Sequence, residues 1–314
     1  MPQQLRVTRE LNAIGAVVMG IAPGHTGNVF YVNTASKGGN DGNAGTNYNY
    51  PKLTIKSALD ACTNLNDDYI FIMDYWQASG EDWPIVINKK KVHIIGLAHS
   101  NLPFPAIHPD SDKPAFTIHE NGSYCEIAYL TIGGGDSYAG ISLGPVGTPG
   151  TKPEGVYIHH CTFGHIWFGT PLSGIDSPEY GAVSCRIERC TFLGDEATMG
   201  GAISGNAIDF TTTSAFHEDL EIIDNVFKGV TIGINLFKGK GAVIVGNRFA
   251  VDDTSVGEAI SLEAGCVGCM VDDNHAMAGG DATMANIAYT DVAKADNEWG
   301  QNYMGVASAA LPTA

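Results

Sequence analysis

Paired carboxylates are the first residues in this 314-residue sequence whose spacing could do chemistry. Asp-Asp stands at 67–68, 252–253 and 272–273. Two carboxyl groups held side by side can cleave a glycosidic bond or help to ligate calcium. Asp272 and Asp273 are the alternative catalytic pair, because they fall directly before Asn274 in a repeated segment. A plainer reading competes and is preferred: Asp is a common corner residue that tolerates a left-handed backbone and faces water. His159, His160 and His165 surround Cys161. Zinc would need three or four convergent ligands. The repeat described below turns Cys161 inward and leaves the two adjacent histidines at a corner, so no metal and no cofactor is expected. Cys266-Val-Gly-Cys269 has CxxC spacing but no second CxxC or CxxH to complete a zinc set. His93, His99, His108 and His119 fit no motif. The loop GGNDGNAGT at 38–46 lacks a Walker lysine and reads as a flexible surface loop. Tyr69, Phe71, Tyr75, Trp76 and Trp83 form an aromatic cluster, read as interface or core ahead of a sugar platform.

The elements that must position these residues show in a nine-residue repeat. Its clear copies are GVYIHHCTF (155–163), SCRIERCTF (184–192), DLEIIDNVF (219–227) and GAVIVGNRF (241–249). Weaker copies begin at 91, 124, 268 and 291. The central apolar position falls at Ile94, Ile127, Ile158, Ile187, Ile222, Ile244 and Val271, and at Lys294 in the degenerate last copy. Fixed strands joined by loops of variable length are the pattern of a solenoid. Each copy reads as two half-buried strands around a two-residue corner, with apolar side chains alternating at period two. After the corner the inward position runs Leu97, Leu130, Cys161, Cys190, Asn225, Asn247, Asn274, Asn297. Stacked in register about 4.8 Å apart, the last four predict a ladder of side-chain amides. Phe163, Phe192, Phe227 and Phe249 predict an aromatic stack beside it. A third strand recurs at 115–120, 139–144, 232–237, 258–263 and 286–291. Three short strands per turn is the plan of a parallel β-helix.

Composition excludes several partners. With 34 Asp and Glu against 17 Lys and Arg, the net charge is −17, too acidic for phosphate backbones or anionic membranes. Residues 251–314 carry ten acidic side chains and one basic one. Seven cysteines make no complete disulfide framework, and buried thiols are expected. Residues 11–23 are mildly apolar but interrupted by Asn12, Gly15 and Gly20, a poor secretion signal.

On these residues the sequence resembles the right-handed, pectin-lyase-like parallel β-helix superfamily. FYVNTASKGGNDGNAGTNYNYPKLTIKSALDAC (30–62) is similar to the opening common there: a strand, a Gly/Asn-rich loop, then a capping helix. The resemblance implies an all-β chain with an N-terminal α-helical cap near 53–64, whose Leu53, Ile55, Ala58, Leu59 and Cys62 face the coils. It divides the chain into an arm (1–28), a β-helix (29–300) and a tail (301–314). The superfamily's lyases pair a basic residue with calcium-binding aspartates, and its hydrolases carry Gly-His-Gly and Arg-Ile-Lys. This chain has Gly164-His165-Ile166 and completes neither signature.

The function expected is therefore a non-enzymatic structural protein of a virus particle, a head decoration or a spike or fibre subunit assembled in the host cytoplasm. The alternative is a polysaccharide-cleaving enzyme acting on a surface glycan. The expected partners are two further copies in a homotrimer and other virion proteins. Arg6, Arg9, Leu11, Ile14, Val17 and Val18 would make that contact, since the arm is apolar and lacks an acidic excess.

Overall fold

The repeat folds as strand, corner, strand, and a backbone device at each corner explains how coils join. Among the described residues, a left-handed residue precedes the first strand of successive coils: Lys91, Tyr124, Gly155, Ser184, Asp219, Gly241 and Gly268. Another follows that strand at Tyr129, His160, Arg189, Asp224, Gly246 and Asp273. Left-handed backbone is costly for residues with a Cβ. Here it turns the N–H along the solenoid axis, where the next coil accepts it: Ser184 to the Glu218 carbonyl at 2.8 Å, Asp224 to Val245 at 3.1 Å, Asp273 to Gln301 at 2.9 Å. The corner residues thus close the gaps between strands and keep every coil in register with its neighbours.

The computed structural model describes residues 27–74, 80–97, 105–144, 152–164, 171–194, 202–211, 214–251, 258–278, 289–292 and 295–304. Their strands stack into three parallel sheets of ten, eight and eight strands. The first sheet runs from Val29–Asn33 through Tyr157–His159 to Glu298–Trp299. The second runs from Ala106–Ile107 to Tyr303–Met304, and the third from Ile85–Ile87 to Tyr289–Asp291. The third sheet also holds Ile175–Asp176 and Ile208–Phe210, which the sequence pattern missed. These strands are two and three residues long, too short for alternation to register.

One apolar core runs through all coils, and its inner columns are chemically uniform. Phe163, Phe192, Phe227 and Phe249 are buried and stacked with centroids 4.8, 4.8 and 4.6 Å apart and planes within 6°. In the adjacent column Asn247 Oδ1 accepts from both the backbone N–H and Nδ2 of Asn225, each at 3.0 Å. Asn274 Oδ1 takes the same two bonds from Asn247 at 3.0 and 2.9 Å. The second Nδ2 hydrogen goes to the coil below: Asn225 to the Ile187 carbonyl, Asn247 to Ile222, Asn274 to Ile244. Each amide is fully buried, and its donors are all used, which removes the cost of sinking it in an apolar core. Cys190 and Cys161 fill the same column lower down, their thiols directed at the Ile158 and Ile127 carbonyls.

Two members of this column differ from expectation. The ladder's top rung is Asn302, whose Oδ1 accepts from Asn274 at 3.1 and 2.9 Å, and not Asn297. The last copy lies five residues later than its sequence alignment, because Trp299 and not Lys294 pairs with Val271. Asn297 instead sits above Cys269, whose backbone N–H it accepts at 3.0 Å. Leu97 turns outward and packs against the cluster of Phe71, Ile95 and Ala128 on the outer side of the first sheet.

The cap is a helix at Ile55–Ala61, with Ile55, Ala58 and Leu59 buried against the first coils. Thr54 caps its N-terminus through Ser57 N–H. Buried Glu81 accepts Ile55 and Lys56 N–H at 2.7 and 3.0 Å, and Lys89 Nζ reaches the Leu59, Asp60 and Cys62 carbonyls at the other end. A carboxylate at the start and an ammonium at the end both complement the helix dipole. The loop 38–46 is tied down, against expectation: Asp41 accepts from Leu53 N–H, Thr54 N–H and the Thr54 hydroxyl, each at 2.9 Å.

Candidate functional site

Asp272 ends a first-sheet strand and Asp273 forms the corner after it, and the contacts of Asp272 are with backbone. Asp272 Oδ1 accepts Asp273 N–H at 2.9 Å and Gln301 N–H of the next coil at 2.7 Å. A Cβ on Gly300 would come within 2.2 Å of that oxygen, so glycine is required for the carboxylate to reach over the strand. Asp273 is left-handed and exposed, with His275 Nε2 3.6 Å from its Oδ1. Along the axis Asp273 stands above Gly246 and below Gln301, not below Asp296. The pair therefore forms no carboxylate row.

The densest set of ionisable groups lies instead on the outer face of the first sheet. Strand register stacks Tyr69, His93, Glu126, Tyr157, Arg186 and Glu221 in one outward column. Glu126 is bound by His93 Nδ1 at 2.6 Å and by His159 Nε2 at 2.7 Å. Burial opposes the charge on Glu126, but the hydrogen bonds from His159 and His93 prevail and hold its carboxyl at about 2. An ionised Glu126 only accepts, so both imidazoles donate to it. His159 Nδ1 then takes the proton of His160 Nδ1, 2.8 Å away, if His159 is neutral.

One coil above, Glu188 accepts from Tyr157 Oη and Arg186 Nε, both at 2.8 Å, while Arg186 also reaches Glu221 at 2.5 Å. Burial pushes the Tyr157 hydroxyl up to about 12, with the Glu188 hydrogen bond acting in the same direction. Rings stack through the network: Tyr69 on His93 at 4.3 Å, Tyr157 on His159 at 4.2 Å and Tyr129 on His160 at 4.9 Å. The face continues toward the cap as an apolar outer cluster of Phe71, Ile95 and Ala128 flanked by Tyr31, Tyr69, Leu97 and Tyr129. Part of the aromatic segment singled out in the sequence belongs here.

Such a face is a fixed surface of paired charges and stacked rings. The hydrogen bonds that Glu126 and Glu188 accept from neighbours favour their charged forms, so neither is poised as a proton donor. The sequence did hold a signal for it: the repeat puts His93, Glu126, Tyr157, Arg186 and Glu221 at one position with alternating character. Among the described residues no three His, Cys, Asp or Glu side chains converge on a point that a metal ion could occupy. All seven cysteines are buried and none is in a disulfide; Cys266 and Cys269 direct their thiols at the Leu236 and Gly239 carbonyls. Arg6, Arg9, Leu11, Ile14, Val17, Val18, His165 and Lys294 lie outside the described residues.

No family model and no curated protein matches the sequence. Among solved structures, the chain is similar to PfbA, a surface adhesin of Streptococcus pneumoniae, with TM-score 0.41 and 13% identity over 76% of this chain and 56% of that one. It is similar to ORF18 of Geobacillus virus E2, with TM-score 0.39 and 11% identity over 96% of this chain and 64% of that one. A third is the tailspike gp49 of Acinetobacter baumannii bacteriophage Fri1, a capsular polysaccharide depolymerase, with TM-score 0.30 and 10% identity over 78% and 56% of the two chains. This chain thus spans less than two thirds of each of these three. With its three stacked parallel sheets and its helical cap, the chain is a right-handed parallel β-helix.

Proposed function

We propose that the chain is a structural protein of a virus particle, a head decoration or a spike or fibre subunit that works as a homotrimer. One observation carries the reading: three carboxylates of the first sheet, those of Glu126, Glu188 and Asp272, are committed to holding the rod together. Asp272 bridges two coils through backbone N–H groups, and Glu126 and Glu188 each bind side chains from adjacent coils. Contacts between coils and stacked rings brace the outer face they build, and symmetric copies that associate through one such face leave no open edge. The arm, with Arg6 and Arg9 against Glu10, lacks an acidic excess and is proposed to anchor the chain to a neighbouring virion protein.

A peptide inventory by mass spectrometry of gradient-purified particles tests the assignment directly, and absence of this chain from them defeats it. Light scattering of the full chain is expected to report three copies. Deleting residues 2–23 is expected to leave the coils folded and to abolish incorporation. Incubation with polygalacturonate or alginate is expected to release no new chain ends; turnover lost in Asp272→Asn would turn the assignment toward the polysaccharide-cleaving alternative.

A further inference from the structure

The outer face of the first sheet changes character toward its top. Lower down, its two outward columns are polar: His93, Glu126, Tyr157, Arg186 and Glu221 in one, His159 and Glu188 in the other. Above them, register places Val243 and Met270 in the first column and Ile223 and Val245 in the second. The residues between the columns, Ile222, Ile244 and Val271, are buried in the core. The strand Val243–Val245 is thus apolar on both faces, the pattern of parallel strands that are covered on both sides. Here the outer side is open: Ile223, Val243 and Val245 are half-buried and Met270 is 40% exposed. Carboxylates close the upper rim, with Asp272 above Val245 and Glu298 above Met270. Together with Met270, Trp299 and Gly300 they line a hollow of about 370 Å³. Glu221, at the lower edge, has Arg186 as its counter-ion, whereas Asp272 and Glu298 pair with no cation among the described residues.

We propose that this apolar block receives the N-terminal arm of a second copy of the chain. The arm interleaves Arg6 and Arg9 with Leu5, Val7, Leu11 and Ile14. It therefore offers apolar side chains to the block and guanidinium groups to the acidic rim. Reach agrees. The strand Val243–Val245 stands seven places from Val29–Asn33 in the sheet, a rise of about 34 Å at the spacing between strands. The 14 residues from Gly15 to Asn28 span up to about 46 Å when extended. An arm leaving the base of one rod thus reaches the upper face of a rod lying parallel beside it. A contact passed in this way from each copy to the next is heterologous, and three copies close it into a ring. The inference rests on the assembly proposed above and narrows the arm's neighbour to a further copy of this chain.

The test uses two full-length variants, Val7→Cys and Met270→Cys, co-expressed and then oxidised with oxidised glutathione. The seven native cysteines are buried and stay out of the reaction. Non-reducing electrophoresis is expected to show a species of two-chain mass, and peptide mapping is expected to join position 7 of one variant to position 270 of the other. Arg6→Glu with Arg9→Glu in the arm-bearing variant is expected to lower that yield at least about tenfold. Val245→Glu in the receiving variant is expected to do the same; melting curves show whether it is folded, and the arm reversal decides alone if it is not. The proposal is overturned if the co-expressed pair gives no such link or if the link survives the arm reversal. It is also overturned if the link forms only when both substitutions sit in one chain, which would place the arm on its own rod. Three copies by light scattering without the link would strike this contact and leave the trimer standing. The link found in a chain absent from particles would uphold the contact and strike the particle assignment.

Discussion

Glu126 and Asp176 are both sunken carboxylic acids on outward faces of the same rod, and their surroundings drive them in opposite directions. On the first sheet, Glu126 lies between two imidazoles that donate to it, so its charged form is favoured despite burial. On the third sheet, Asp176 has the Ser142 hydroxyl on one side and another carboxylate on the other, so burial decides and the neutral form persists. What differs is the residue one coil away. In a solenoid every side chain is flanked by its counterparts above and below at about 4.8 Å, so the column, rather than the strand, sets the chemistry.

The comparison predicts two opposite pH arms. The larger belongs to Asp176. Its folded-state value of about 7 lies above its ordinary 3.8, so the folded chain loses stability as pH rises from about 4 to 7. Asp176→Asn removes that loss and is expected to stabilise the chain by up to about 4 kcal/mol at pH 8 and by little at pH 4. Denaturant titrations at the two pH values measure the difference; equal gains would contradict the raised carboxyl. The second arm belongs to Glu126, held at about 2 against an ordinary 4.5. Its contribution is present above about pH 4.5 and is lost as pH falls through about 2. Glu126→Gln should therefore cost about 3 kcal/mol at pH 7 and nearly nothing at pH 2.

An interior substitution separates both arms from the core. Asn247→Ala removes the acceptor of two Asn225 donors, and a loss of about 1–3 kcal/mol is expected, the same at pH 5 and pH 8. A pH-dependent loss would mean that the ladder communicates with a face. The smallest effect is expected at Asp273, which is exposed and whose left-handed backbone Asn also tolerates. Asp273→Asn should change the melting midpoint by an amount equivalent to less than about 0.5 kcal/mol.

The coil plan was legible because apolar side chains recur at one position from Ile94 to Val271 with a corner after each. Asn225, Asn247 and Asn274 followed from that register. Asn302 did not, since Trp299 occupies the place where the coils from Ile70 to Val271 have Ile or Val, and the alignment slid to Lys294. Asp176 and Asp209 were hidden for another reason. Their strands are two and three residues long, so no alternation announces them, and only the paired coils reveal that they are neighbours. The helix partners Glu81 and Lys89 lie about a coil away from the groups they bind, and a pattern in sequence carries no trace of such pairing.

The amide ladder makes the rod's length adjustable in units. Asn225 meets Asn247 across 22 residues and Asn247 meets Asn274 across 27, through the same two bonds each time. The joint does not record how much chain lies between its halves. Excision of residues 242–268 would bring Asn274 onto Asn225, Val271 onto Ile222 and Ala276 onto Phe227, each an apolar or amide position meeting its own kind. Duplication of the same segment would add one such joint. A gene for this rod could be lengthened or shortened by about 4.8 Å at a time without devising a new interface.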